Sequence, residues 1–249
     1  MELEIIFSEF GKSRQNNNNL KFSEMGRLDP TYSSAKQYFP NAKLSCYTDC
    51  PEIGEVYKDV EIFEVDGSIF SKKHPYWGWF CCDYYEIHGL LNSKADVAIS
   101  MDSDLMFVSN EVNTLIPITE KFGVCVPTNS RQLVKVDSIY TRGNNGDYHI
   151  GEDESNGNLL TYDLWWTSFH TKNKRARKYL EEVELQMSVR HPNVRAPLHM
   201  SRGAWESGVN PYSMPVQWGV GSGHVGCGNE IILHVGHLDV QDYYLEHRI

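Results

Sequence analysis

Val97-Ala98-Ile99-Ser100-Met101-Asp102-Ser103-Asp104 is the stretch on which the fold of this chain turns. Val97 to Met101 is a near-continuous apolar run, as expected of a strand buried on both faces of a mainly parallel sheet. The run ends in two carboxylates at positions i and i+2. Open α/β sheets bind their ligands beyond the carboxyl ends of the strands, so acids placed there can converge on one hard cation. Carboxylate oxygens suit Mn²⁺ or Mg²⁺, ions commonly held by one or two carboxylates together with substrate phosphates. An Asp-x-Asp by itself is common and can simply cap a strand-to-loop turn. Its position after a buried strand, behind a long series of alternating elements, is what gives it weight.

Upstream, strand and helix signals alternate. Leu3 to Phe7 is apolar and of strand length, and Asn16–Asn19 is a polar loop. A helix is expected from Asp29-Pro30, with Asp29 as N-cap and Pro30 at the first helical position, ending before Pro40. Lys43 to Thr48 reads as a strand stopped by Asp49-Cys50-Pro51, and Val60, Ile62 and Val65 as another. After Pro75 the period changes. Trp77, Phe80, Cys81, Tyr84, Tyr85, His88 and Leu91 fall at steps of three and four, one face of an amphipathic helix.

Downstream, a helix over about Glu111 to Phe122 and a strand over Val124 to Val126 continue the alternation, which favours an α/β sheet with helices on both sides. Arg142 to Asn158, rich in Gly, Asn and acids, is expected to be a mobile loop. Ala176, Tyr179, Leu180, Val183 and Met187 define a helix. Residues 192 to 230, rich in Pro and Gly, are expected to be long irregular structure of the kind that is usually functional. Ile231 to Val235 is a last strand, running into Gly236 and His237.

The 249 residues, 41% hydrophobic and 22% charged, suit a single domain with a sizeable core. A net charge of -10 argues against a nucleic-acid partner, which would need clustered Lys and Arg. The one basic cluster, Lys172, Lys174, Arg175, Arg177 and Lys178, reads as a solvated helix start. The opening residues lack the marks of a secretory leader, and no stretch approaches the ~20 apolar residues of a membrane span. The six cysteines show no paired metal spacing, so free thiols and a cytoplasmic location are expected.

Ala95 to Phe107, with Asp102-Ser103-Asp104 followed by Leu105-Met106-Phe107, resembles the Asp-x-Asp region of glycosyltransferases with the GT-A fold. Ala42 to Asp49 is similar to the second strand of those enzymes, whose terminal Asp often contacts the nucleotide base. Ile231 to Gly236 resembles their C-terminal strand, which supplies a His to the same metal. The resemblance covers about residues 3 to 126 and resumes near 231. It implies a single GT-A-like α/β domain, with a nucleotide-sugar-binding half over 1–126 and a loop-rich, acceptor-binding half over 127–249. It implies transfer of a sugar from a nucleoside-diphosphate sugar, a UDP- or GDP-sugar, to a glycan or other hydroxyl acceptor, assisted by Mn²⁺ or Mg²⁺. Asp104 would bind the metal directly, Asp102 the metal through water or else the donor ribose, and His234 would complete the shell, with His237 as the alternative imidazole. Ser8, Phe10, Asp49, Asp102 and Ser103 are the donor-binding positions it implies.

A lone His in an apolar strand is more often a hydrogen-bonded core residue than a ligand; the Asp pair is what shifts the balance for His234. If the reaction inverts, an acid must take the acceptor proton, and Glu206, beside Trp205, and Asp153 in its acidic loop are the candidates. The family often carries a basic residue on the helix before Asp-x-Asp. Trp79 to Glu86 has none, leaving Lys72, Lys73 or Arg202 to substitute. Trp165-Trp166 read as core or as acceptor wall. A phosphohydrolase of the haloacid dehalogenase type also uses Asp-x-Asp, but usually on the first strand and with small residues following. A non-catalytic sugar-binding module is the other rival, although it rarely needs a nucleotide-binding half.

Overall fold

Seven strands form one sheet in the order β3-β2-β1-β4-β7-β6-β8. They are β1 (Leu3–Glu9), β2 (Lys43–Thr48), β3 (Val60–Glu64), β4 (Val97–Met101), β6 (Val124–Pro127), β7 (Trp166–His170) and β8 (Tyr212–Met214). Strands β3, β2, β1 and β4 are parallel, β7 is antiparallel to both β4 and β6, and β8 is parallel to β6. A separate antiparallel pair joins β5 (Leu105–Phe107) to β9 (Ile232–His234). The computed structural model describes residues 1–11, 28–128, 162–192, 196–226 and 228–247. The Asn16–Asn19 tract, the loop expected over Arg142–Asn158 and Asp153 within it lie outside these.

The alternation of side chains along each strand feeds two cores. On one face Ile5, Phe7, Ile99, Met101 and Trp166 pack with α1 (Asp29–Tyr38), α4 (Leu115–Phe122) and the β5–β9 pair. On the other, Ile6, Ala98, Val124, Val126 and Phe169 pack beneath α3 (Trp77–Asn92), α5 (Lys174–Leu185) and α6 (Ala196–Ser207). A single turn, α2 (Ile53–Val56), and α7 (Leu238–His247) complete the helices named here. This is the mainly parallel α/β sheet, clothed on both faces, that the strand pattern requires. No described helix is long and apolar enough to cross a membrane. Cys46, Cys50, Cys81, Cys82 and Cys125 are buried.

Several local expectations are revised. Asp29 lies inside the first turn of α1 and Leu28 is the N-cap, because Tyr32 N–H already bonds the Leu28 carbonyl; Asp29 instead accepts from Ser33. The helix expected from Glu111 begins as a 3₁₀ turn, Asn110–Thr114, capped by Ser109 on the Glu111 amide. The described residues of 192–230 are more regular than their Pro and Gly content suggests. They hold the twelve residues of α6, where Pro197 sits in the first turn, a position that forgoes no helical bond. Gly203 there lets α6 close on α5: a Cβ would lie 2.4 Å from Val183 Cγ2.

Candidate metal centre

Strand β4 delivers Asp102 to the carboxyl edge of the sheet, and four hydrogen bonds fix where the strand stops. Asp102 N–H donates to the Trp165 carbonyl at 2.9 Å, extending the β4–β7 ladder by one residue. Thr31 Oγ1, fully buried on α1, donates to the carbonyls of Asp102 and Leu105 at 3.2 and 2.6 Å. Leu105 N–H returns to the Asp102 carbonyl at 3.3 Å, closing a turn with Ser103 and Asp104 at its centre. The chain leaves as β5 and pairs with β9 in a register that sets Leu105 opposite His234. Val235 N–H bonds the Asp104 carbonyl at 2.9 Å.

The two halves of the sequence thereby meet. One ligand atom each from Asp102, Asp104 and His234 lies within 4.8 Å of the others. His234 Nε2 is 3.5 Å from Asp104 Oδ1 and 3.7 Å from Asp102 Oδ2. Asp104 is buried, while Asp102 and His234 keep one side toward solvent. Two carboxylates and an imidazole form an O,O,N set that suits a divalent ion such as Mn²⁺.

Gly236 shows that the space is built for these groups. A Cβ there would lie 2.3 Å from Asp104 Oδ2, 2.9 Å from its Cγ and 3.2 Å from His234 Cε1. Any side chain at 236 would displace the carboxylate. The residues therefore fit the cation that the Asp-x-Asp implies. The His237 ring centroid is 4.6 Å from that of His234, on its flank.

Behind Asp102 sits Glu86, fully buried on α3. Ser8 Oγ, at the end of β1, donates to Glu86 Oε1 and to the Cys82 carbonyl, both at 3.1 Å. Burial pushes the Glu86 carboxyl well above the usual carboxylate range, and the charges of Asp102 and Asp83 push the same way. The protonated form of Glu86 is thus favoured beside Asp102. No pattern singled it out, because at helical spacing it reads as a polar-face residue. It occupies the helix from which a basic residue is missing. Lys72 Nζ lies over the Trp77 ring at 5.4 Å, and Arg202 contacts His191.

The other expected residues are distributed as follows. Asp49 Oδ1 accepts the Gly11 amide at 2.9 Å, where Gly11 takes a φ of 89°, so Asp49 shapes the loop that leaves β1. Ser103 is buried in the Asp102–Leu105 turn. The Phe10 ring is wholly buried, stacked on Tyr85 at 5.1 Å and edge-on to Trp77 at 6.0 Å. Glu206 is not brought to the carboxylates. Because β7 pairs Val97 with His170, α5 starts at the amino edge of the parallel strands. Lys178 near that start bonds the Ser207 carbonyl at 2.8 Å, holding the end of α6, with exposed Trp205 and Glu206, at the same edge. A cavity of about 670 Å³ also lies at that amino edge, lined by Glu4, Lys43 and Lys94 among others, away from the cluster.

No family model matches the sequence, and no curated protein matches it. Solved structures do. The apo WbbM bifunctional glycosyltransferase superposes with a TM-score of 0.54 at 10% identity, over 99% of this chain and 44% of that one. Mouse xyloside xylosyltransferase 1, also apo, gives 0.53 at 9% identity, over 94% and 97% of the two chains. The 2-C-methyl-D-erythritol 4-phosphate cytidylyltransferase of Thermus thermophilus gives 0.52 at 11% identity, with both chains fully covered. The fold is GT-A-like. At such identities the likeness is one of fold, and this chain spans less than half the length of the WbbM protein. In the GT-A-like frame the Asp102–Asp104 turn sits at the carboxyl edge of the central parallel strands, where such sheets bind ligands.

Proposed function

We propose that this protein is a glycosyltransferase that moves a sugar from a nucleoside-diphosphate sugar to a hydroxyl acceptor such as a glycan, assisted by Mn²⁺ or Mg²⁺. The observation that carries the reading is the convergence of Asp102, Asp104 and His234 within 4.8 Å at the carboxyl edge of the sheet. A cation held there would neutralise the charge that develops on a diphosphate leaving group. Asp104 is the direct ligand, since it is buried and its carboxylate rests in the space left by Gly236. Asp102, more exposed, is placed to serve the cation through water or to take the donor ribose. His234 closes the set from β9.

In this reading residues 1–126 hold the donor and the rest of the chain the acceptor. Asp49 and Ser103 serve the donor through the loop and turn they build, Phe10 through its backbone, and Ser8 by fixing α3 against β1. Asp153 is the candidate for the base that accepts the acceptor proton, in preference to Glu206 at the far edge. We place the enzyme in the cytoplasm.

A thermal-shift screen with Mn²⁺ and UDP-, GDP-, CMP- and dTDP-sugars tests the proposal, because a ligand that binds only the native state raises its apparent stability. One class should stabilise the protein, only with metal, and then serve as donor in a transfer assay. Pyrophosphate release from a nucleoside triphosphate and a sugar phosphate, with no sugar transfer, would reassign the protein as a nucleotidyltransferase. Phosphate release from simple phosphomonoesters would point to a hydrolase.

A further inference from the structure

We infer that Trp165 is the positioning residue of the cation site, setting Asp102 through its backbone and His234 through its indole. The inference rests on reading Asp102, Asp104 and His234 as a cation site. The two adjacent tryptophans have separate roles. Trp166 is fully buried in the core, with its indole N–H on the Trp218 carbonyl. Trp165 lies just outside β7 and is only half-buried.

Two kinds of contact converge on Trp165. Its carbonyl accepts the Asp102 amide at 2.9 Å, which fixes the point at which β4 ends. Its ring centroid is 5.1 Å from that of His234, tilted by 55°. The six-membered ring of the indole is bordered by glycines. A Cβ on Gly221 would lie 2.9 Å from Trp165 Cη2, and one on Gly219 would lie 3.3 Å from Cε3 and 3.0 Å from Pro127 Cβ. The glycine segment is itself tied to β9: Val220 N–H bonds the Ile232 carbonyl, and His234 N–H bonds the Val220 carbonyl, both at 2.9 Å. The indole therefore lies against both the glycine segment and the imidazole that the segment helps to hold. Groups that orient a ligand from outside the coordination sphere typically change metal affinity by 10–100-fold when removed.

The test measures the affinity for Mn²⁺ alone by calorimetry, in folded protein verified by urea unfolding. Trp165→Ala should weaken binding by about tenfold or more, and Trp165→Phe, which keeps a flat ring beside His234, by about threefold at most. Gly221→Ala provides the second arm, because it leaves Trp165 in place and pushes on its Cη2 edge. It should weaken Mn²⁺ binding, and adding Trp165→Phe should restore it, because phenyl lacks the atoms that collide. A purely structural tryptophan would show lost stability without this rescue. If the unmodified protein binds no Mn²⁺, the cation-site reading fails and this inference fails with it. If it binds Mn²⁺, and folded Trp165→Ala or folded Gly221→Ala binds equally well, the role of Trp165 alone is overturned.

Discussion

Replacing Gly236 by alanine adds one methyl group at the point where the candidate metal centre has no room for it. The added Cβ would lie 2.3 Å from Asp104 Oδ2, roughly 1 Å inside ordinary carbon–oxygen contact. The backbone of Gly236 is not in the left-handed region, so alanine is conformationally acceptable there. On that ground alone the change would stabilise the protein by about 0.4–1 kcal/mol. Crowding opposes this with a cost of about 1–3 kcal/mol, so the net stability change should be small, between about zero and 2.5 kcal/mol.

The effect on the cation should be larger. Metal–ligand distances tolerate only about 0.2 Å, and moving a carboxylate oxygen by about 1 Å takes it out of reach. Mn²⁺ affinity should fall by about tenfold to a hundredfold, which is about 1.4–2.7 kcal/mol. Gly208→Ala is the control. Gly208 has a φ of +67° and nothing within 4 Å of its missing Cβ. Alanine there should cost about 1–2 kcal/mol of stability through backbone strain and leave Mn²⁺ binding intact. Calorimetric Mn²⁺ titrations beside urea melts of the three proteins separate the two effects. Normal Mn²⁺ affinity in folded Gly236→Ala would refute the claim that Asp104 and Gly236 share a metal cradle.

Asp104→Asn keeps the shape but removes the charge that holds the cation; sugar transfer should vanish while the fold persists, and near-normal turnover at saturating Mn²⁺ would count against it. His234→Ala should weaken Mn²⁺ by about tenfold or more with little loss of fold, whereas a stability loss of about 1–3 kcal/mol with unchanged metal binding would mark a core histidine. His199, almost fully buried on α6, has its imidazole pKa pushed down to about 3, first by burial and then by His191. Its neutral form is therefore favoured in the fold, and the stability it confers is full above the ordinary imidazole value of 6.5 and lost as pH falls toward 3. At ~1.4 kcal/mol per pH unit, that loss amounts to up to about 5 kcal/mol; His199→Gln should flatten the urea stability profile over this window, and an unchanged slope would contradict the assignment.

The elements that were legible in sequence are those whose signal is local. β2 begins and ends at Lys43 and Thr48 as read, and β4 at Val97 and Met101, because a strand buried on both faces must be apolar throughout. The helix α3 was equally clear, but its buried side was not. Phe80 and Cys81 are buried as expected, yet so are Cys82, Asp83, Glu86 and Gly89, while Tyr84, Tyr85 and His88 are half-buried in a set of stacked rings. The reason is steric: a Cβ at Gly89 would lie 2.7 Å from Ile6 Cγ2 and 2.9 Å from the Tyr47 ring. The helix approaches the sheet along its small residues, and that rotation carries Glu86 inward to Ser8 and Asp102. Hydrophobic period could not reveal this.

The same division between local and non-local runs through the candidate metal centre. Asp102 and Asp104 stood out because a strand of known type ends in them. His234 could be placed on a strand, and the ligand role came to it only from the family resemblance and the Asp pair, because what brings it to them is the β5–β9 register that sets it opposite Leu105. Gly236 carried no signal, since its requirement comes from the Asp104 carboxylate. β7 was not foreseen, and it supplies both the Trp165 carbonyl that stops β4 and the reversal that carries Glu206 to the far edge. A cation site that needs an oxygen pair from one half of the chain and a nitrogen from the other is completed only when β5 and β9 pair. Cation binding should therefore strengthen that pairing, since a ligand bound to the native state alone stabilises whatever assembles its site. In hydrogen exchange the amides that tie the β9 segment to the β5 segment and to Val220, those of Val108, Val235 and His234, should gain protection with Mn²⁺. Those of β2 and β3, at the other side of the large sheet, should not. Equal gains throughout would mean that the cation acts on global stability alone, and no gain at β9 would mean that His234 takes no part in holding it.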